Sequence, residues 1–136
     1  MREILFRGKQ HNGEWVYGHF YETIGNGKNV SRIYDGLIFK HYTVDRETVG
    51  QYTGLTDKNG KKIFEGDIIR VITFGFSAEM FITEVKFGAK SGVQGFYLAN
   101  GRSMFYFGQK DLTVMDDAWV IGNIHDNPEL LNGETK

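Results

Sequence analysis

Asn-Gly recurs between runs of β-branched and aromatic residues, as Asn12-Gly13, Asn59-Gly60 and Asn100-Gly101, and this most constrains the fold. Both residues of the pair tolerate positive φ, so each pair predicts a tight hairpin connection between two antiparallel strands. With 18 glycines against a single proline, and 11 Phe and seven Tyr in 136 residues, the chain is built for strands and turns rather than helices. It is long enough for one hydrophobic core and short for two.

Read in order, Glu3–Arg7 and Glu14–Tyr21 form a first predicted hairpin across Lys9–Gly13. Ile24–Asn29 reads as a loop, Ser31–Tyr34 as a short strand ending at Asp35-Gly36, and Leu37–Val44 as the next strand. Asp45–Thr48 is a polar break before Val49–Thr56, which turns at Asp57–Lys61 into Lys62–Phe64. Glu65-Gly66-Asp67 makes a corner into the apolar strand Ile68–Thr73. Met80–Phe87 and Phe96–Leu98 pair through the Gly-rich 88–95, and Ser103–Phe107, Leu112–Met115 and Trp119–Ile124 close the β region. Only Asn127–Leu131 looks helical, with Asn127 as cap, Pro128 in the first turn and Glu129 at the positive end of the dipole. Many short strands with Gly-type turns predict a mainly β fold, a small barrel or roll preceded by an N-terminal hairpin region, with one short C-terminal helix.

Charge and composition narrow the chemistry. Residues 1–110 hold 15 basic and 11 acidic residues, a balance of +4, while 111–136 hold one basic and six acidic, giving the overall −1. A strong non-specific DNA binder is normally far more basic. The absence of cysteine removes disulfides, thiolate nucleophiles and Cys-ligated zinc. Charges flank only three apolar residues at the N-terminus, so no signal peptide is expected, no apolar run reaches membrane-spanning length, and a cytoplasmic location is expected.

Several blocks together resemble one family. These are Val49–Leu55, Asp57–Lys61, Ile63–Ile69 and Val120–Ile124 with Asn127–Leu131, and at the start Arg2–Gly8 with Gly13–Gly18. In this order they are similar to the YopX family of phage and prophage proteins, and what departs most is Thr73–Arg102, which shows no pattern of that family. The resemblance implies a single domain: N-terminal strands over 1–48, an SH3-type barrel over 49–126, and a short helix and tail over 127–136. It also implies a phage-encoded protein in a bacterial host cell. It implies no activity and transfers no catalytic residue or cofactor.

No convergent catalytic set stands out. Asp57, Glu65 and Asp67 are the best candidates for a Mg²⁺ or general acid–base site, yet both stretches are ordinary turn chemistry in which carboxylates bond their own backbone. His11, His19, His41 and His125 have no metal-building spacing, and strand alternation alone leaves His19 and His41 on either face. No nucleophile elbow is present. In Gly88–Gly92, Glu84 and Ala89 stand where a phosphate-binding loop would have its glycines, so a hairpin loop is expected.

The surplus aromatic residues are more informative. Tyr17/Phe20/Tyr21, Phe39/Tyr42 with Lys40, and Phe105/Tyr106/Phe107 with Arg102 and Lys110 could stack on bases or simply form the core. Three consecutive rings cannot all face one side of a strand, so Arg102, Phe105, Tyr106, Phe107 and Lys110 are the expected interaction surface. The sequence therefore predicts a non-enzymatic module without cofactors that binds itself or a host or phage protein. The alternatives are a nucleic-acid-binding barrel using Lys58, Lys61, Lys62, Arg70, Lys86 and Arg102 and, behind it, a metal-dependent enzyme built on Asp57, Glu65 and Asp67.

Overall fold

The computed structural model describes residues 4–73, 79–90, 93–100 and 117–132. The expected surface Arg102, Phe105, Tyr106, Phe107 and Lys110 lies outside them, as does the expected turn at Asn100-Gly101 beyond Asn100. The chain is mainly β, in antiparallel strands, and the hydrogen-bonded orders of its sheets are open-ended. Among the described residues no helix is long and apolar enough to cross a membrane. The chain divides into two compact units, Met1–Tyr52 and Thr53–Lys136.

In the first unit β1 (Phe6–Lys9), β2 (Trp15–Gly25), β3 (Lys28–Asp35), β4 (Lys40–Thr43) and the start of β5 (Asp45–Thr56) hydrogen-bond in the order β4-β3-β2-β1-β5. The Asn12-Gly13 turn is where it was expected, with Gly13 at φ +90°. The expected loop 24–29 shrinks to a two-residue turn, because Asn26 (φ +51°) and Gly27 (φ +76°) suit a type I′ hairpin, and β2 and β3 extend to meet it. One face of this sheet buries Ile33, Ser31 and Val44. On that face Phe6 packs on Phe20 at 5.8 Å, and Gly8 lies so close to Val44 that a Cβ there would stand 2.9 Å from it.

Two expectations from residue type are corrected here. Leu37–Phe39, rich in β-formers, is a turn: Asp35 Oδ1 accepts the Leu37 N–H at 2.9 Å, and Phe39 takes φ +55°. Conversely, polar Asp45–Thr48 is strand. Thr48 Oγ1 donates to the Asp45 carbonyl (2.6 Å) and accepts the Lys9 N–H (2.8 Å), bridging the register shift between β1 and β5.

The second unit contains the end of β5 with β6 (Lys62–Phe64), and a four-stranded sheet ordered β10-β7-β8-β9 from β7 (Asp67–Thr73), β8 (Glu79–Lys90), β9 (Val93–Leu98) and β10 (Ala118–Asn123). Leu55, Ile63, Ile69, Val71, Val85, Phe96, Leu98 and Ala118 form its core, with Phe81 and Val120 packed against them. Gly88 and Gly95 pair inside the β8–β9 ladder, so Gly88–Lys90 is strand and not a loop. The C-terminal element is a one-turn 3-10 helix, Pro128–Leu131. Asn127 does not cap it through its side chain; its Oδ1 instead accepts the Asn123 N–H at 3.3 Å.

Candidate functional site

Strand alternation sorts the side chains of the N-terminal sheet by chemistry. Arg7 pairs with Tyr17 and Lys9 with Trp15; His19 pairs with Tyr34 and Tyr21 with Arg32; Tyr34 pairs with His41 and Arg32 with Thr43. Directly paired residues share a face, and residues two apart on a strand share it too. One face of β1–β4 therefore presents Trp15, Tyr17, His19, Tyr21, Tyr34 and His41 together with Arg7, Lys9 and Arg32. The carboxylates of β2 and β3, Glu22 and Asp35, fall on the opposite face, where Glu22 accepts from Ser31 Oγ at 3.0 Å and lies 3.6 Å from Arg46. Asp45, opposite Lys9, stands at the margin of the ring-bearing face.

This face is open. Tyr17 is 44% exposed, His19, His41 and Thr43 are exposed, and Trp15, Tyr21, Arg32 and Tyr34 are half-buried. The rings are held in place by one another. The Tyr21 hydroxyl lies 2.6 Å from His41 Nδ1 and their rings meet edge-on, while Tyr34 packs against His41 at 4.5 Å. Arg7 and Lys9 sit over the Trp15 ring at 4.7 and 5.9 Å.

Magnitudes decide what such a face can do. A cation over an exposed ring contributes about 0.5–1 kcal/mol. Stacking a nucleobase on an aromatic side chain contributes about 1–3 kcal/mol, so a base outcompetes the cation for the ring and releases that cation to a phosphate. Rings and guanidinium or ammonium groups on one carboxylate-poor strand face thus suit a stacking, charge-tracking ligand.

At the edge of the sheet, Arg32, Lys40, His41, Tyr42 and Thr43 with the β1–β2 turn residues Gln10, His11 and Asn12 line an open depression of about 450 Å³. No lining residue is acidic. Arg32, one of its lining residues, has its Nε–H buried without an acceptor.

The residues expected from sequence to carry chemistry are dispersed or committed elsewhere. Asp57 is 2% exposed; Oδ1 accepts from the Asn59 and Lys61 N–H groups and Oδ2 from the Val120 N–H, all at 2.9 Å. Asp67 is equally buried and accepts the Phe64 N–H at 2.8 Å. Among the described residues no three His, Asp or Glu side chains are grouped to hold a metal. Of the expected phosphate contacts, Lys58 and Arg70 come together over Trp119 at 5.4 and 5.5 Å in the second unit; Lys61, Lys62 and Lys86 are exposed, and Arg102 lies outside the described residues.

Of the aromatic clusters, Tyr17 and Tyr21 reach the open face while Phe20 turns to the other. Lys40 and Tyr42 pair with Asp35 and Ile33 and so alternate to the far face, but at the sheet edge both also line the depression. Trp15, Tyr34, Arg7 and Arg32 were missed. The period-two run Trp15, Tyr17, His19, Tyr21 was the signal that could have found them.

No curated protein matches the chain. Among solved structures, protein EF1440 from Enterococcus faecalis is similar at a TM-score of 0.52 and 23% identity, over 97% of this chain and 100% of that one, a likeness of fold. The model of the YopX protein family matches residues 5–132, so blocks that resembled the family piecewise belong to one continuous match, and the chain belongs to the YopX family.

Proposed function

We propose that the protein is a non-enzymatic binding module whose N-terminal sheet takes single-stranded nucleic acid. The observation that carries this reading is the sorting of six rings and three cations onto one open strand face, with the carboxylates of β2 and β3 on the other. Bases stack on Tyr21, Tyr34 and Trp15, and Lys9 and Arg32 meet the phosphates, while Arg7, buried at 6% exposure, supports the Trp15 ring. The buried carboxylates Asp57 and Asp67 support a non-enzymatic reading, because their oxygens already serve backbone N–H groups. The family resemblance supports a phage- or prophage-encoded accessory role in a bacterial cytoplasm, with 49–126 as an SH3-type roll.

Titration of single-stranded oligonucleotides at low ionic strength, followed by tryptophan emission, tests this. Binding is expected to weaken with salt, log K falling with log salt by about 0.7 for each phosphate contacted. Tyr34→Ala is expected to weaken it by roughly tenfold through the lost stacking. No binding of either DNA or RNA single strands at low salt overturns the proposal.

A second reading, self-association, has its own observation. The turn Leu37-Ile38-Phe39 projects apolar side chains that are 91%, 58% and 80% exposed, and Leu37 borders a depression walled by Ile4, Leu5 and Tyr17. Phe39 holds a left-handed conformation that costs about 1 kcal/mol for a non-glycine residue, a strain often found at recognition sites. If this tip joins two copies, sedimentation shows a dimer that Leu37→Asp dissociates. A monomer throughout the accessible concentration range removes that reading.

A further inference from the structure

We infer that the depression at the β4 edge is a phosphate-binding subsite of the proposed nucleic-acid face. The inference rests on that reading for its ligand but on separate observations for its place. Its lining carries two permanent cations, Arg32 and Lys40, two imidazoles, His11 and His41, and the neutral donors Gln10, Asn12, Tyr42 and Thr43, with no carboxylate. A phosphate offers several acceptor oxygens around one anionic centre, and a convergent set of charged and neutral donors is the arrangement that satisfies them.

Arg32 is the centre of the argument. A buried donor without an acceptor costs about 1–3 kcal/mol, so it calls for a specific reason to persist. Its Nε–H has no acceptor, and no carboxylate pairs with the guanidinium among the described residues. Asp35 pairs with Lys40 across the strands, but its Oδ1 accepts the Leu37 N–H, and it lines the other depression. An incoming oxyanion supplies the acceptor that Arg32 lacks once the guanidinium turns towards the depression. The guanidinium fork then binds two oxygens at once, which a lysine could not do.

His41 and Lys40 complete the cradle. The Tyr21 hydroxyl lies 2.6 Å from Nδ1, and in the tautomer in which it donates there Nε2 carries the ring proton and is a donor. Lys40 lies 5.3 Å over the Tyr42 ring, a contact loose enough for its ammonium to swing to an anion. Tyr21 and Tyr34 pack against His41, so the subsite is contiguous with the stacking face. β4 is the outermost strand of its sheet, so a strand end can reach the subsite without threading through the fold.

The test uses the intact chain, a short oligothymidylate with either a 5′-phosphate or a 5′-hydroxyl, and inorganic pyrophosphate as a competitor. Arg32→Gln is expected to weaken binding of the oligonucleotide about tenfold, and Lys40→Gln by a few fold. Each is expected to reduce the salt slope by about 0.7, the loss of one single-strand phosphate contact. Pyrophosphate is expected to compete with the oligonucleotide in the wild type and to lose its effect in Arg32→Gln.

Tighter binding of the 5′-phosphorylated strand assigns the subsite to a terminal phosphate, and equal binding assigns it to an internal one; both support it. If both folded variants bind with wild-type affinity and slope, the subsite is wrong while the stacking face stands. If pyrophosphate binds through Arg32 but no oligonucleotide does, the subsite stands and the nucleic-acid reading falls. Circular dichroism checks folding, and should Arg32→Gln unfold, exposed Lys40→Gln decides alone.

Discussion

Asp57→Ala is expected to lower the unfolding free energy by about 3–5 kcal/mol, more than any surface charge removal elsewhere in the chain. Its carboxylate is 2% exposed and accepts three backbone N–H groups, two in its own turn and one from Val120, 63 residues away. Alanine leaves three part-buried donors without their acceptor, and each orphan costs up to about 1–3 kcal/mol before local relaxation and hydration. Backbone bonds from Asp57 N to the Lys61 carbonyl and from Lys58 N to the Ala118 carbonyl keep the hairpin near β10, so the donors stay in place when the carboxylate is removed.

Asp57→Asn separates charge from shape. The amide oxygen can still serve the Asn59 and Lys61 N–H groups, but its NH₂ then faces the Val120 N–H, donor against donor. The expected cost is about 1–3 kcal/mol, between wild type and alanine. Urea unfolding of the three proteins checks the order. A cost for alanine below about 1 kcal/mol, the range of an exposed turn carboxylate, would contradict the buried-acceptor account.

Gly18→Ala is the second large effect, expected at about 3 kcal/mol or more. A Cβ at Gly18 would stand 2.0 Å from the Tyr34 carbonyl oxygen, 2.7 Å from its carbon and 3.2 Å from Asp35 Cα. All three are backbone atoms, so no rotamer change relieves the overlap; β2 and β3 must part where His19 pairs with Tyr34. That row holds Tyr34 and His41, so loss of nucleic-acid affinity is expected to accompany the loss of stability.

Gly88→Ala is the matched control. Gly88 has the same φ of +156°, yet nothing lies within 4 Å of its added Cβ. Both sites share the backbone strain of that dihedral, and the contact adds to it only at Gly18, so Gly88→Ala is expected to cost about 1–3 kcal/mol, less than Gly18→Ala. Thermal melts of both variants give the comparison; equal losses would show that backbone conformation, and not the Tyr34 carbonyl, sets the requirement for glycine at 18.

Much of the fold was legible because its determinants are local. Asn12-Gly13, Asn59-Gly60 and the Gly66 corner turn where their residues permit positive φ, and the runs between them pair as antiparallel strands. Local reading failed where a side chain competed with propensity. Asp35 captures the Leu37 N–H and ends the strand that Leu-Ile-Phe would favour, while Thr48 bridges Lys9 and Asp45 and draws a polar stretch into β5. The Asn127 side chain went to Asn123 because the turn at 123–127 closes on itself, leaving the 3-10 helix without a side-chain cap.

The candidate site divides along the same line. The alternation of Trp15, Tyr17, His19 and Tyr21 is written in the sequence, since side chains two apart on a strand must share a face. Which face remains open, and whether cations or carboxylates lie beside those rings, depends on register with β1, β3 and β4. Register is a property of paired strands, and a slip by one residue would have sent Tyr34 inward and Ile33 outward. From sequence alone came the family, the turns, the β class and the lack of thiol chemistry. Only the tertiary structure could decide that Asp57 is an internal acceptor and Arg32 a donor without one, because both facts rest on partners, present or missing, that are brought close by folding rather than by chain position.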